Sequence, residues 1–240
     1  MGWADGGGAC GGSGRGVTNS RQCVLDCLEL MTRTVEAPPA SVLALFARGA
    51  GYLTASEARA AGVYPKLIDR LVRRGLVERV QRGVYRLLEI PPPTHADLLE
   101  VQLRAPFARP CLATALDLHG LTTTRPARLQ FAVPRHRMLP DITYPPLEVF
   151  YWSAGAYAHG VTSVPSGGRE LVTYTIEKTL ADLLKYAPKL GPELYYEGLK
   201  NYLSSRRHPD TRALLDAARV NRVEPELRRD LEVLRHEANA

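Results

Sequence analysis

Between residues 54 and 87 the apolar positions change period, and each change comes with the punctuation it needs. Residues 55–61 are Ala-rich and stop at Gly62. Thr54 ahead of them can cap a helix, and Glu57, three positions on, completes a capping box. Val63 and Tyr64 make a turn, and Pro65 stands where a first helical turn tolerates proline. From Pro65 to Arg74, Leu67, Ile68, Leu71 and Val72 share one helical face, while Lys66, Asp69, Arg70, Arg73 and Arg74 share the other. After Gly75 the period becomes two: Val77, Arg79 and Gln81 alternate with Leu76, Glu78 and Val80. Arg82-Gly83 then turns the chain into Val84-Tyr85-Arg86-Leu87. A helix over Ser41–Ala47, ending near Gly49-Ala50-Gly51, is predicted to precede this set.

The prolines of EIPPPTH, residues 89–95, lack N–H groups and hold the backbone extended, so a domain boundary is placed there. Helices are predicted from about His95 to Arg104 and from Pro110 to His119. Strands are predicted at 128–135 and 147–152, and a Gly/Pro/Ser loop at 160–168. A third strand at 170–175 leads into a helix capped by Thr175, with Ile176, Thr179, Leu180, Leu183 and Leu184 inward. Helices at 192–204, 210–220 and 225–237 close the chain. The expected fold class is α+β: a winged helix-turn-helix over 41–90, then a mixed α/β domain over 91–240 with a small sheet and C-terminal helices.

The first 20 residues are Gly-rich and carry no core-forming pattern. Residues 1–40 are read as a disordered leader, either a tail or an upstream extension of the reading frame ahead of a more natural start at Met31. Cys10, Cys23 and Cys27 lie in that leader, and only Cys111 lies beyond it. A disulfide framework is therefore not expected. Cys23 and Cys27 have a zinc-like spacing without a second Cys/His pair nearby, so no metal and no cofactor are expected. No stretch approaches the ~20 apolar residues of a membrane span. A cytoplasmic protein without a membrane partner is expected.

Charge sharpens the reading of the first half. Residues 41–90 hold nine Lys/Arg against four Asp/Glu, most of the net charge of +6 of the whole chain. Concentrated positive charge is the footprint of phosphate binding. A capped helix, a turn, a basic second helix and a basic hairpin suit a winged helix-turn-helix that places its second helix in the major groove of DNA. The ten residues of that helix span roughly 15 Å, enough to cross the groove. The candidate DNA-binding residues are Thr54, Tyr64, Lys66, Asp69, Arg70, Arg73, Arg74, Arg79, Arg82 and Tyr85. Lys66 and Arg70 are expected at base edges, and Arg82 at a phosphate or in the minor groove.

Residues 91–240 hold nineteen Lys/Arg and seventeen Asp/Glu, so a second nucleic-acid surface is not expected there. Catalytic constellations fail on spacing. Asp141 and Glu148 lack the second carboxylate and following lysine of a metal-dependent nuclease, since Glu177 is followed at once by Lys178. Gly167-Gly168 is not followed by alternate carboxylates on a strand. There is no phosphate loop and no nucleophile elbow. His119, before Gly120, is read as satisfying helix-terminal carbonyls. No catalytic residue is assigned and no enzyme activity is expected. Lys178, Asp182 and Lys185 fall at i, i+4 and i+7, opposite Ile176, Leu180, Leu183 and Leu184, and are read as an exposed polar edge.

The segments GVYPKLIDRLVRRGLVERVQRGVYRL (62–87), ATALDLHGLTT (113–123), LQFAVPR (129–135), YPPLEVFYWS (144–153) and VTYTIEKTLADLLKY (172–186), in this order, resemble the AbiEi-type antitoxin family of type IV toxin–antitoxin systems. The resemblance implies a winged-helix domain that represses its own operon at operator DNA with inverted repeats. It also implies a C-terminal domain that supplies the antitoxic function. The implied counterpart is a nucleotidyltransferase-like toxin, countered without a stable complex, and Lys178, Asp182 and Lys185 are then the candidate antitoxin surface. The competing readings are a stand-alone repressor whose second domain binds a ligand or dimerises, and a nuclease-associated protein.

Overall fold

The computed structural model describes residues 38–205 and 209–238. The leader, its three cysteines and Met31 lie outside the described residues.

The first element is α1, Ala40–Arg48, which buries Val42 and Phe46. Its exit is tight: a Cβ at Gly49 would lie 2.1 Å from the Tyr52 carbonyl oxygen, so only glycine fits. Then follow β1 (Tyr52–Thr54), α2 (Ala55–Ala60), α3 (Pro65–Arg73), β2 (Val77–Gln81) and β3 (Val84–Leu87). α2 stops because Gly62 takes φ 73°, a left-handed conformation that costs a side-chain-bearing residue roughly 1–2 kcal/mol. β3 is the middle strand of an antiparallel sheet in the order β1-β3-β2. β1 is a strand that the sequence pattern did not predict, being only three residues long. Val42, Phe46, Leu53, Ala58, Ile68, Leu71, Val77, Tyr85 and Leu87 form one buried cluster between helices and sheet. The apolar stripe predicted for α3 thus faces inward through Ile68 and Leu71.

Beyond the prolines come α4 (Ala96–Arg104), β4 (Arg109–Pro110), α5 (Leu112–Leu118), β5 (Leu129–Pro134) and β6 (Leu147–Trp152). β5 and β6 are parallel neighbours, and β4 flanks β5 antiparallel. The helix expected from Pro110 starts later, because Arg109 and Pro110 pair with β5 and Leu112 turns the chain at φ 50°. A short α6 (Ala154–Ala158) leads to β7 (Val161–Ser166) and β8 (Arg169–Tyr174). The loop expected at 160–168 is therefore largely a strand. Val161, Ser163 and Pro165 are exposed while its other residues are partly or fully covered, so β7 lacks the apolar alternation of a buried strand. It pairs with β8 in a separate two-stranded ribbon, so the strand at 170–175 does not join β5 and β6.

The rest is helical: α7 (Ile176–Leu190), α8 (Glu193–Ser205), α9 (Thr211–Asn221) and α10 (Glu224–Ala238). Thr175 caps α7, its side chain accepting from the Lys178 amide at 3.3 Å. Leu116, Trp152, Tyr174, Leu180, Leu183, Leu199, Tyr202 and Leu214 are the centre of a second core. Full burial of each such side chain is worth roughly 1.5–3 kcal/mol, which offsets the cost of ordering the short loops between helices.

Residues on either side of the prolines touch. The Tyr52 hydroxyl donates to Glu100 Oε1 at 2.8 Å, and Tyr52, Val84 and Leu99 form a shared buried cluster. Gln81 Nε2 donates to the Tyr144 carbonyl at 2.5 Å.

Candidate nucleic-acid interface

α2 and α3 each start on chemistry supplied by their own sequence. The Glu57 amide donates to Thr54 Oγ1 at 3.1 Å, and the Thr54 amide donates to Glu57 Oε2 at 2.7 Å. This is the capping box predicted from Thr54 and Glu57. It satisfies two amides that the first turn of α2 would otherwise leave bare. α3 has no side-chain cap, but Pro65 at its first turn has no N–H to satisfy.

With Ile68 and Leu71 buried, α3 presents Lys66, Asp69, Arg70, Arg73 and Arg74 to solvent together, with Tyr64 79% exposed at its start. Four flexible cations and a planar ring, on one short helix and its two caps, make a positively charged surface of the kind that attracts phosphate. Asp69 is the one acceptor among them, suited to a base amino group rather than to phosphate. The hairpin adds to this. Arg82 is exposed at its tip, beside Gly83 at φ 79°. Arg79 is exposed and lies over the Tyr85 ring at 5.8 Å. A guanidinium stacked this way is restricted in its motion and loses less entropy on meeting a partner.

Two of the candidate residues sit elsewhere. Tyr85 is 9% exposed and belongs to the module core, so it supports Arg79 from beneath. The Thr54 hydroxyl accepts from the Glu57 amide and also bonds to Glu57 Oε2 and Ser56 Oγ, so it works as a cap. The burial of Tyr85 reflects tertiary packing, which local spacing does not encode, whereas the capping by Thr54 is the local role that its spacing from Glu57 predicted.

A residue that the sequence did not single out holds the module in place. Arg169, at the start of β8, donates from Nε to the Gly49 carbonyl at 2.8 Å and from Nη2 to the Tyr52 carbonyl at 3.1 Å. Its Nη1 and Nη2 also reach the Glu57 carboxylate at 2.9 and 3.1 Å. Burial acts to raise the Glu57 carboxyl, but the hydrogen bonds from Arg169 and Thr54 outweigh it and hold it below its ordinary value. The Gly-Gly turn at 167–168 places Arg169 there, yet nothing in its neighbours' spacing announces a partner more than a hundred residues away.

The polar edge expected on α7 is corrected. Lys178 is fully buried and Asp182 is 2% exposed; of the three residues, only Lys185 is exposed. Lys178 Nζ bonds Asp182 Oδ1 and lies over the Trp152 ring at 4.4 Å. α9 packs across this side of α7, with Asn221 Nδ2 donating to Asp182 Oδ1 at 2.7 Å. A helical wheel separates two faces but does not reveal that a later helix covers the polar one. Burial draws the Lys178 ammonium down and pushes the Asp182 carboxyl up, each opposed by the charge of the other. His119 closes the end of α5 as its C-cap, and its ring Nε2 meets the Tyr174 carbonyl at 2.6 Å.

Among the described residues no group of three or more His, Cys, Asp or Glu gathers as a metal site, and no helix is long and apolar enough to cross a membrane. Cys111 is buried, and its thiol is pushed up by that burial.

The stretch that carries the exposed cations is also the stretch that comparison with known proteins identifies. Residues 41–88 match a family of transcriptional regulators. That family is described as AbiEi antitoxins, the type that the sequence resembles. The match ends at residue 88 and speaks for this module alone. No curated protein matches the chain.

Proposed function

We propose that residues 41–90 are a winged helix-turn-helix that binds operator DNA with α3 in the major groove, and that the chain represses its own operon. The observation that carries this reading is the cationic face of α3, Lys66, Arg70 and Arg73, projecting beside a hairpin tipped by Arg82. Lys66 and Arg70, in the N-terminal half of the helix, approach base edges; Tyr64, Asp69, Arg73, Arg74 and Arg79 flank them. Arg82 acts through phosphate or minor-groove potential. In this reading residues 91–240 supply the antitoxic function against a nucleotidyltransferase-like toxin, without a stable complex, in the cytoplasm. The family match over 41–88 supports the regulatory part.

The direct test is binding of the full chain to the DNA upstream of its own reading frame, with promoter activity read in parallel. Retarded mobility of that DNA and a repressed promoter are expected. Equal binding to unrelated duplexes, with no effect on the promoter, would contradict operator recognition. Growth rescue by co-expression with a neighbouring nucleotidyltransferase-type gene tests the antitoxic part.

A stand-alone repressor with a ligand-binding second domain is the other reading. A small polar cavity on α7 favours it.

A further inference from the structure

Residues 41–90 carry four carboxylates: Glu57, Asp69, Glu78 and Glu89. Three of them are accounted for away from the cationic face. Glu57 meets Arg169 and closes the cap of α2, Glu78 meets Arg86 at 2.6 Å across the hairpin, and Glu89 lies beyond β3. Asp69 is different. It is exposed on α3 and has no ion pair among the described residues.

Nothing in the helix itself calls for an acid there. Asp69 is the fifth residue of α3, past the first turn in which a carboxylate gains from the helix dipole. Aspartate is a poor helix former, because its side chain competes for backbone groups. Arg73 stands four residues on, the spacing of a helical ion pair, and the pair is not made. Lys66, one turn before, and Arg73, one turn after, both lie within about 60° of Asp69 around the helix and are exposed with it. The acid is therefore set into the face that carries the cations.

On a surface that meets phosphates, a carboxylate is repelled unless it finds a donor. In the major groove those donors are the amino groups N6 of adenine and N4 of cytosine. Adenine N6 stands between two acceptors, its own N7 and thymine O4, and both repel a carboxylate. Cytosine N4 has one acceptor beside it, guanine O6. Cytosine is the better match.

We propose that Asp69 reads the N4 amino group of a cytosine and so fixes one C·G pair of the recognised sequence. The inference rests on the reading of α3 as the helix in the major groove. Asp69 also acts against unrelated DNA. Where no cytosine meets it, its charge subtracts from the pull of Lys66, Arg70 and Arg73 on phosphate, which widens the gap between the right sequence and the rest.

The test is selection of duplexes from a randomised pool by the full chain, followed by sequencing of the bound fraction, for the parent, Asp69→Ala and Asp69→Asn. The position is exposed, so both changes alter stability little. The parent should prefer cytosine at one position by roughly fivefold or more. In Asp69→Ala that position alone should lose its preference. The same variant should bind an unrelated duplex more tightly, and the more so at low salt. In Asp69→Asn the preference should move toward adenine, which an Asn side chain bonds at N6 and N7. A carboxylate that only faces water gives another result: both variants keep the base profile of the parent at every position. That outcome overturns the inference and leaves the DNA-binding reading standing, whereas a parent that enriches no sequence overturns both.

Discussion

The guanidinium of Arg169, in the β7–β8 ribbon, donates to the carboxylate of Glu57, in the first turn of α2, at 2.9 Å. Glu57 is the same residue that closes the capping box on Thr54. One carboxylate therefore caps the helix preceding α3 and fastens that helix to a strand over a hundred residues away. The orientation of the proposed DNA-reading helix depends on this contact as well as on the module core.

Arg169→Ala removes four hydrogen bonds and leaves the Gly49 and Tyr52 carbonyls with one donor fewer. A loss of roughly 1–3 kcal/mol is expected, in the range for charge-assisted bonds at a partly covered site. Urea unfolding of the variant against the parent measures it. An unchanged midpoint would mean that the contact contributes nothing.

The Glu57 contact should also be visible in pH dependence. Its carboxyl is held below an ordinary value of 4.5, so its stabilising contribution is present above 4.5 and fades as the pH falls through the depressed value. Glu57→Gln keeps the size and an oxygen for the cap but loses the charge. The variant should melt lower than the parent at neutral pH, and the gap should close in acid. A gap independent of pH would rule out the ionised carboxylate as its source.

Lys178→Ala should be severe and Lys185→Ala nearly silent. The first leaves Asp182 buried without its cation, which costs roughly 3–5 kcal/mol. The second changes an exposed side chain, worth no more than about 0.5 kcal/mol. Chemical denaturation of the two variants decides it; similar losses for both would refute the placement of Lys178 in the core.

Much of the first half was legible because its signals are local. Thr54 and Glu57 lie three apart, Gly62 and Gly75 end helices, and the apolar stripe of α3 reads directly from its period. The second half was legible in its helices other than α6 and in β5 and β6. It failed where the determinant is a distant partner. β7 was hidden by Gly, Pro and Ser, which are poor strand formers, and is held by its register with β8. The polar face of α7 looked solvated because nothing in 176–190 states that Asn221 and Trp152 will cover it. The exposed cations of the candidate interface follow from the helix period. Burial of Tyr85 follows only from the packed core.

The central claim is that α3 reads DNA sequence while the hairpin tip holds the backbone. It is tested most directly by fluorescence anisotropy of the full chain on its own upstream DNA and on a shuffled duplex, across a salt series. Arg70→Ala should cost roughly 1–3 kcal/mol on the upstream DNA and little on the shuffled duplex. Arg82→Ala should weaken both alike and lower the slope of log affinity against log salt by about one. The contradicting result is a parent chain that binds both duplexes equally, or an Arg70→Ala chain whose preference for the upstream DNA is intact.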